Sequence, residues 1–101
     1  MQELATLSEF KKATAKGKVL VDVWAPWCGP CKVLTPVLEE LSLTHTGVSF
    51  TKINADTDAG QEVCGQYGVA SLPTLLLFEN GKKSRVLVGN LSKAKLEAFI
   101  G

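Results

Sequence analysis

The sequence predicts an α/β fold in which helices cover a central mixed β-sheet. Strand-like and helical segments alternate along the chain, and a β-hairpin and a last helix follow them, an order typical of such sheets. The segment "KVLVDVW" at 18–24 is β-branched and almost wholly apolar, as in a strand covered on both faces. The chain has 101 residues, and we expect a single domain over residues 1–101.

Two helices are predicted around this strand. Thr6 and Glu9 form a capping-box pattern, which starts a short helix. This helix should extend to about Lys16, because Gly17 is a typical stop. A second helix at 31–43 has one apolar face, formed by Leu34, Val37, Leu38 and Leu41.

The second half of the chain predicts further strands and helices. The segment "VSFTKIN" at 48–54 indicates a strand, and Asp58 can cap a helix that runs toward Tyr67. Asn80-Gly81, between two strand-like runs, is the strongest short signal for a hairpin. Ser92 can cap a last helix, whose inward-facing residues are Leu96, Phe99 and Ile100.

Charge and hydropathy exclude several classes of protein. The net charge is +1 and lysine and arginine form no cluster, so we expect neither nucleic acid nor an anionic membrane as a partner. No apolar run approaches the about 18 residues of a transmembrane helix. The first ten residues lack the apolar segment of a signal peptide, so we expect a cytoplasmic protein. In that reducing compartment, a close pair of cysteines is more often metal-binding or catalytic than structural.

Such a pair occurs at Cys28 and Cys31, directly after the apolar strand and at the start of the next helix. Residues three apart in a helical turn have Cβ atoms about 5–6 Å apart, which a small rotation brings within disulfide reach. The unpaired amides and partial positive charge of a helix N-terminus favour a thiolate at Cys28. Pro30 suits a first helical turn, and Gly29 leaves the backbone beside Cys28 open to a partner.

Zinc binding is the main alternative for this pair. A structural zinc site usually has four ligands, often as two close pairs, and the remaining candidates, Cys64 and His45, are not close to each other in the sequence. A Cys-x-x-Cys beside a βαβ pattern instead indicates redox chemistry, and we expect no metal.

The wider pattern resembles the thioredoxin family over essentially the whole chain. The family's active-site signature matches "WCGPCK" at 27–32, which "VLVDVWA" precedes and which Pro36, "LPTLLLFENGK" and "VGNLSKAKL" follow. The resemblance implies a thioredoxin fold, with a five-stranded mixed sheet, four flanking helices and "QEL" as a short first strand. It also implies a thiol–disulfide oxidoreductase that reduces protein disulfides without a bound cofactor. A thioredoxin reductase, an NADPH-dependent flavoprotein, would supply its electrons.

The resemblance also implies residue roles. Cys28 would be the attacking cysteine and Cys31 the resolving one, while Asp22 matches the buried acid of the family, with Lys52 nearby. Pro73 matches its cis-proline. The active-site loop would contain Trp27, Gly29 and Pro30, and the substrate-facing surface Trp27, Ser71, Leu72, Pro73 and Gly89. Pro26 and Ser71 are substitutions at positions that vary in the family, which leaves the substrate preference open.

Asp22 interrupts an apolar strand, and Leu20 and Trp24 share its side of that strand. A buried carboxyl tends to be protonated or partnered, and an acid with a raised pKa near Cys31 could accept the proton of that thiol. The alternative is an acid on a solvated face. Lys52 could pair with Asp22 or simply face the solvent.

Pro73 opens an apolar strand, where proline is tolerated. A cis bond there would turn the preceding backbone toward the cysteines and expose a strand edge to a substrate peptide. Trp27 lies in a turn, which favours partial exposure and a substrate role, whereas Trp24 is interpreted as core.

Two further residues have ordinary structural interpretations. His45 lies near a helix C-terminus, where it is favourable to the helix dipole. Cys64 is expected to be an inert, packed thiol rather than a regulatory one. Two alternatives to a reductase of protein disulfides remain, namely a disulfide isomerase or oxidase of the same fold and a redox-independent partner subunit. We expect a monomer.

Overall fold

The computed structural model describes residues 1–89 and 91–101, so that Asn90, within the "VGNLSKAKL" segment, lies outside the described residues. In chain order, the elements are β1 (Gln2–Glu3), α1 (Leu7–Thr14), β2 (Lys18–Trp24), α2 (Gly29–Thr44), β3 (Val48–Asn54), α3 (Asp58–Tyr67), β4 (Thr74–Glu79), β5 (Lys82–Val88) and α4 (Lys93–Ile100). The described part of the chain thus confirms the expected five strands and four helices.

The five strands form one mixed sheet in the order β1-β3-β2-β4-β5. Both β1 and β2 pair with β3 in parallel, whereas β4 pairs antiparallel with β2 and with β5. The central position of β2 explains its apolar sequence, because helices cover both faces of the sheet there. The carboxyl ends of β2 and β3 lie side by side, and the redox signature follows directly from the end of β2.

Each face of the sheet has its own apolar core. On one face, side chains of α1 and α3 pack against alternate residues of β2 and β4, and this core contains Leu4, Phe10, Val19, Val21, Val23, Ile53, Ala59, Val63, Leu76 and Phe78. On the other face, α2 and α4 complete a core of Leu20, Leu34, Leu38, Leu41, Phe50, Leu75, Leu77, Leu96, Phe99 and Ile100. At about 1.5–3 kcal/mol for each large apolar side chain, this burial is the main favourable term in folding.

The first helix begins as predicted and ends early. Thr6 is the N-cap, and its Oγ1 accepts a hydrogen bond from the Glu9 amide at 3.1 Å. The helix ends at Thr14 rather than near Lys16, because the backbone beyond it is engaged by the hairpin turn. The Gly17 amide donates to Asn80 Oδ1 at 3.0 Å, and the Asn80 amide donates to the Gly17 carbonyl at 2.9 Å.

The predicted cap of α3 is wrong by one residue. Thr57, not Asp58, is the N-cap, and its Oγ1 accepts from the Gly60 amide at 3.0 Å. Thr57 Oγ1 also donates to the Asn54 carbonyl at 2.9 Å, a second bond that Asp58 could not make as a carboxylate. Asp58 instead lies in the first turn, where its charge is favourable to the helix dipole.

The hairpin and the last helix form as predicted. Asn80 and Gly81 both have positive φ angles, 52° and 86°, as a tight two-residue hairpin turn requires. Ser92 is the N-cap of α4, and its Oγ accepts from the Lys95 amide at 3.3 Å. Throughout residues 1–89 and 91–101, the helices all fall short of the length and apolarity needed to cross a membrane.

Candidate active site

Cys28 and Cys31 lie at the junction between β2 and α2 and are joined by a disulfide, with their Cα atoms 5.3 Å apart. The Cys28 amide donates to the Ala25 carbonyl at 3.1 Å, which closes the turn that follows the strand. Cys28 is the N-cap of α2, so the helix begins between the two cysteines. The predicted placement of the pair is therefore confirmed.

The helix N-terminus acts directly on the Cys28 sulfur. The Cys31 amide donates to Cys28 Sγ at 3.2 Å, so the sulfur occupies the place of an N-cap oxygen. An amide that points at sulfur, together with the positive end of the helix dipole, stabilises a thiolate at Cys28 once the disulfide is reduced. Gly29 and Pro30 are both exposed, so the chain between the cysteines faces the solvent.

The disulfide is bordered by a second loop of the chain. Cys28, Cys31 and Ala25 form a small buried cluster against which Trp24 and Leu72 pack. The Leu72–Pro73 peptide bond is cis, as expected, and Pro73 is buried directly before β4. Leu72 is thus the residue of the predicted substrate-facing surface that contacts the cysteines.

The remaining residues of the predicted surface lie around this loop. The Gly89 amide donates to the Pro73 carbonyl at 3.1 Å, which ties the end of β5 to the loop. Ser71 is exposed, and its carbonyl accepts from Thr74 Oγ1 at 2.6 Å. The fold therefore brings Leu72 to the cysteines and links Ser71 and Gly89 to them only through the loop.

Trp27 projects into the solvent, with 69% of its surface exposed, as its position in a turn predicted. Its indole Nε1 donates to Asp56 Oδ2 at 2.9 Å, so the exposed ring is held in place. Asp56 was not identified from the sequence. The parallel pairing of β2 with β3 is the signal that could have found it, because the segments after the two strands leave the same edge of the sheet.

Asp22 is fully buried at 0% exposure, which rules out the solvated face. It lies on the same side of β2 as Leu20, a member of the α2 core, and Trp24, which packs against the cysteines. Burial raises the pKa of Asp22 to about 7. The positive charge of Lys52 opposes this rise, and the negative charge of Glu3 adds to it. Among the described residues, neither carboxylate oxygen has a hydrogen-bond partner.

The predicted pairing of Lys52 with Asp22 is not direct. Lys52 lies opposite Asp22 in the register of β2 and β3, but its Nζ lies 3.8 Å from Glu3 Oε1. The same Nζ is 4.8 Å from the centroid of the Trp24 ring, which is half-buried rather than fully in the core. Glu3 on β1 competes for the ammonium, a contact that the local sequence does not predict because only the sheet order brings β1 beside β3.

His45 and Cys64 lie outside the site. His45 is the C-cap of α2, and its Nδ1 is within 3.1 Å of the Leu41 carbonyl, a structural position as predicted. Cys64 is half-buried against the α1/α3 core, and burial raises the pKa of its thiol. In the part of the chain that the structure describes, no three His, Cys, Asp or Glu side chains are grouped so as to hold a metal ion.

A mixed sheet with a dithiol pair at the N-terminus of a helix, bordered by a cis-proline loop, defines a thiol–disulfide oxidoreductase of thioredoxin type. Comparison with known proteins agrees, since the family model "Thioredoxin" matches residues 2–101. The chain belongs to the thioredoxin family.

Relatives of established name share much of the sequence. The chain is 44% identical over 96 residues to a thioredoxin of Bacillus subtilis, covering 95% of this chain and 91% of the relative. It is 46% identical over 87 residues to a thioredoxin of Pseudomonas aeruginosa, covering 85% of this chain and 79% of the relative.

Solved structures agree in fold. The thioredoxin of Malassezia sympodialis superposes with a TM-score of 0.89 at 35% identity, covering 99% of this chain and 87% of that one. A thioredoxin of Plasmodium falciparum gives a TM-score of 0.89 at 32% identity, covering 99% and 96% of the two chains. Family, fold and cysteine geometry together identify a thiol–disulfide oxidoreductase.

Proposed function

We propose that this protein reduces disulfides of protein substrates, with Cys28 as the nucleophile and Cys31 as the resolving thiol, and that a thioredoxin reductase returns it to the dithiol form. The electrons would come from NADPH through that flavoprotein, so the chain itself needs no bound cofactor. The observation that carries the proposal is the position of Cys28 Sγ, which accepts the Cys31 amide at the N-terminus of α2.

The reaction consists of two exchanges of disulfide bonds. The Cys28 thiolate attacks one sulfur of the substrate disulfide, forms a mixed disulfide and releases the other substrate sulfur as a thiolate, which takes up a proton. Cys31 then loses its proton and attacks Cys28 Sγ, which releases the second substrate thiol. Two electrons pass to the substrate, and the Cys28–Cys31 disulfide remains.

Asp22 is proposed to accept the proton of Cys31 in the second exchange. On the same side of β2, Leu20 belongs to the core under α2 and Trp24 packs against the cluster around the cysteines. A carboxyl whose pKa is about 7 can both accept and release a proton near neutral pH. Lys52, whose charge lowers this pKa, tunes the acid rather than pairing with it.

The substrate would bind over the exposed side of the disulfide. Trp27 offers a large apolar surface that is fixed by its bond to Asp56. Leu72 packs against the cysteines, and the backbone that leads into Pro73 would pair with a substrate peptide. Ser71 and Gly89 would complete the border of this surface.

The oligomeric state and the location in the cell are part of the same proposal. We propose a single-domain monomer that acts in the cytoplasm on disulfide-containing proteins, without nucleic-acid or membrane partners. Gel filtration of the reduced protein and fractionation of the host cell test these two points.

The experiment that tests the function is the reduction of insulin with a small dithiol as electron source. The protein should accelerate the reduction well above the uncatalysed rate, and the variant with both Cys28→Ser and Cys31→Ser should not. In a coupled assay, a purified thioredoxin reductase should then consume NADPH only when both this protein and insulin are present. Acceleration by the double-serine variant would refute the role of the cysteine pair.

A further inference from the structure

We propose that Glu3 is a positioning residue for the redox reaction, because it draws the Lys52 ammonium away from Asp22 and so leaves the buried carboxyl without a cationic partner. The proposal rests on the role proposed above for Asp22. It adds a residue on the short first strand to which neither the "WCGPCK" motif nor the cis-proline loop points.

Three strands place three charged residues in one row across the sheet. Glu3 on β1 is the register partner of Lys52 on β3, and Lys52 is the register partner of Asp22 on β2. Side chains at paired positions project from the same face of a sheet. The ammonium of Lys52 therefore lies between two carboxyl groups, one half-exposed on the edge strand and one fully buried in the centre.

The contacts show which carboxyl holds the ammonium. Lys52 Nζ lies 3.8 Å from Glu3 Oε1, and Trp24 Nε1 donates to Glu3 Oε2 at 3.1 Å. Both oxygens of Glu3 are thus engaged, and the ammonium lies 4.8 Å from the centroid of the indole ring that Glu3 binds. Asp22, by contrast, has no hydrogen-bond partner among the described residues.

Lys52 and Glu3 are the charged groups that act on the pKa of Asp22. Its register partner on β4 is Leu75, and the α4 residues of the adjoining core are apolar. At the N-terminus of α2, Cys28 and Cys31 do not titrate while they form the disulfide. In the oxidised protein, the charge balance at Asp22 is therefore set by Lys52 and Glu3.

Removing the charge of Glu3 should act on Asp22 in two ways that have the same sign. The direct repulsion between the two carboxylates disappears, and Lys52 loses the group that competes for it. After burial, the charge of Lys52 lowers the pKa of Asp22 and that of Glu3 raises it. Both changes thus stabilise the carboxylate of Asp22 and lower its pKa.

The test is a titration of the Asp22 carboxyl carbon by NMR in the oxidised protein. Glu3→Gln removes the charge but keeps an oxygen that can accept the Trp24 indole N–H. The backbone pairing next to it, where the Leu4 amide donates to the Lys52 carbonyl at 2.8 Å, is unaffected by the change. We expect the pKa of Asp22 to fall by about half a unit to one unit.

Two further variants separate the proposed route from a general change of charge. Glu62→Gln makes the same charge change on α3, across the sheet, and should leave Asp22 unchanged. Lys52→Met should raise the pKa of Asp22, and in that background Glu3→Gln should shift it less than in the native protein. An unchanged or raised pKa in Glu3→Gln, or an equal shift in Glu62→Gln, would overturn the proposal.

A kinetic measurement tests whether Glu3 also acts in the reaction. The pH at which resolution of the mixed disulfide is half-maximal should move down with the pKa of Asp22 in Glu3→Gln. If the titration shifts and this profile does not, Glu3 does not act in the reaction and the proposal is wrong. If Asp22→Asn also leaves resolution unchanged, the error lies in the proposed role of Asp22, whereas insulin reduction by the cysteine pair would be unaffected.

Discussion

The two faces of the central strand differ in the residues that they present. Toward α1 and α3, β2 presents three buried valines, Val19, Val21 and Val23. Toward α2 and α4, the alternate residues are Leu20, Asp22 and Trp24, so a buried carboxyl stands beside the residue that packs against the disulfide. One strand thus supports an apolar core on one face and a reactive site on the other. Changes on the first face should affect stability alone, whereas changes on the second should affect the reaction.

The largest effect is expected at the cysteines on the reactive face. Cys31→Ser should still attack substrates through Cys28 but fail to release them, because no second thiol is held nearby at a high effective concentration. Non-reducing gels should show covalent adducts that dithiothreitol dissolves, and turnover should fall to background. Cys28→Ser should trap little or nothing. Adducts on Cys28→Ser instead would reverse the two roles.

The opposite face should respond through stability. Leu76 is fully buried in the α1/α3 core, and Leu76→Ala should lower the free energy of unfolding by about 2–5 kcal/mol. Urea denaturation measures this change, and insulin reduction by the folded protein should remain near the native rate. Leu43, which is 78% exposed, provides the control, since Leu43→Ala should stay within about 0.5 kcal/mol. A loss of activity in folded Leu76→Ala would mean that packing on the α1/α3 face of the sheet also affects the reaction.

Asp22 connects stability to pH on the reactive face. Burial raises its pKa from 3.8 to about 7, so between these values the native state holds a proton that the unfolded state has released. The free energy of unfolding therefore falls as pH rises through this range, by roughly 4 kcal/mol for about three pKa units. Asp22→Asn should abolish the contribution of Asp22 to this pH dependence. The variant should therefore be more stable than the native protein above pH 7 but not near pH 4.

The same variant should be less active. Stopped-flow kinetics should show slower resolution of the mixed disulfide in Asp22→Asn, with the first attack by Cys28 less affected. Higher stability with slower resolution is the pattern expected of a buried acid that serves the reaction. Slowing of the first attack alone would show that Asp22 does not serve Cys31.

The smallest effect is expected at Cys64, the cysteine on the apolar face. It is half-buried, and the raised pKa of its thiol reduces the thiolate fraction at neutral pH. Iodoacetamide should label it slowly in the native, oxidised protein and much faster after unfolding in urea. Rapid labelling of the native protein, or a disulfide-linked dimer under mild oxidant, would contradict the packing role.

Most of the fold could be predicted because the residues that mark each helix, strand and turn lie within or next to that element. The capping residues Thr6 and Ser92, the Asn80-Gly81 turn and the apolar strand at 18–24 each depend on neighbouring residues alone. The cap of α3 was misplaced although the contacts that decide it are also local, since Thr57 accepts from the Gly60 amide and donates to the Asn54 carbonyl, each three residues away.

The site was predictable where it is contiguous in sequence. The cysteines and Trp27 lie in one motif, and the cis-proline followed from the family resemblance. The partners that hold the site came from elsewhere in the chain: Asp56 binds Trp27, and Glu3 binds Lys52. Both contacts depend on which strands are neighbours, and a two-residue strand such as β1 carries almost no signal of its place in the sheet.

The place of β2 in the sheet also bears on how the chain folds as it is made. On one side β2 pairs with β3, but on the other its Lys18 pairs with Glu79 of β4. While a ribosome has synthesised the chain only as far as β3, one edge of the central strand has no partner for its amides and carbonyls. The central strand gains its second neighbour only after β4 has emerged, so the sheet can be completed only when most of the chain has been made. The pairing of β2 with β4 joins segments far apart in sequence, and such pairing slows folding.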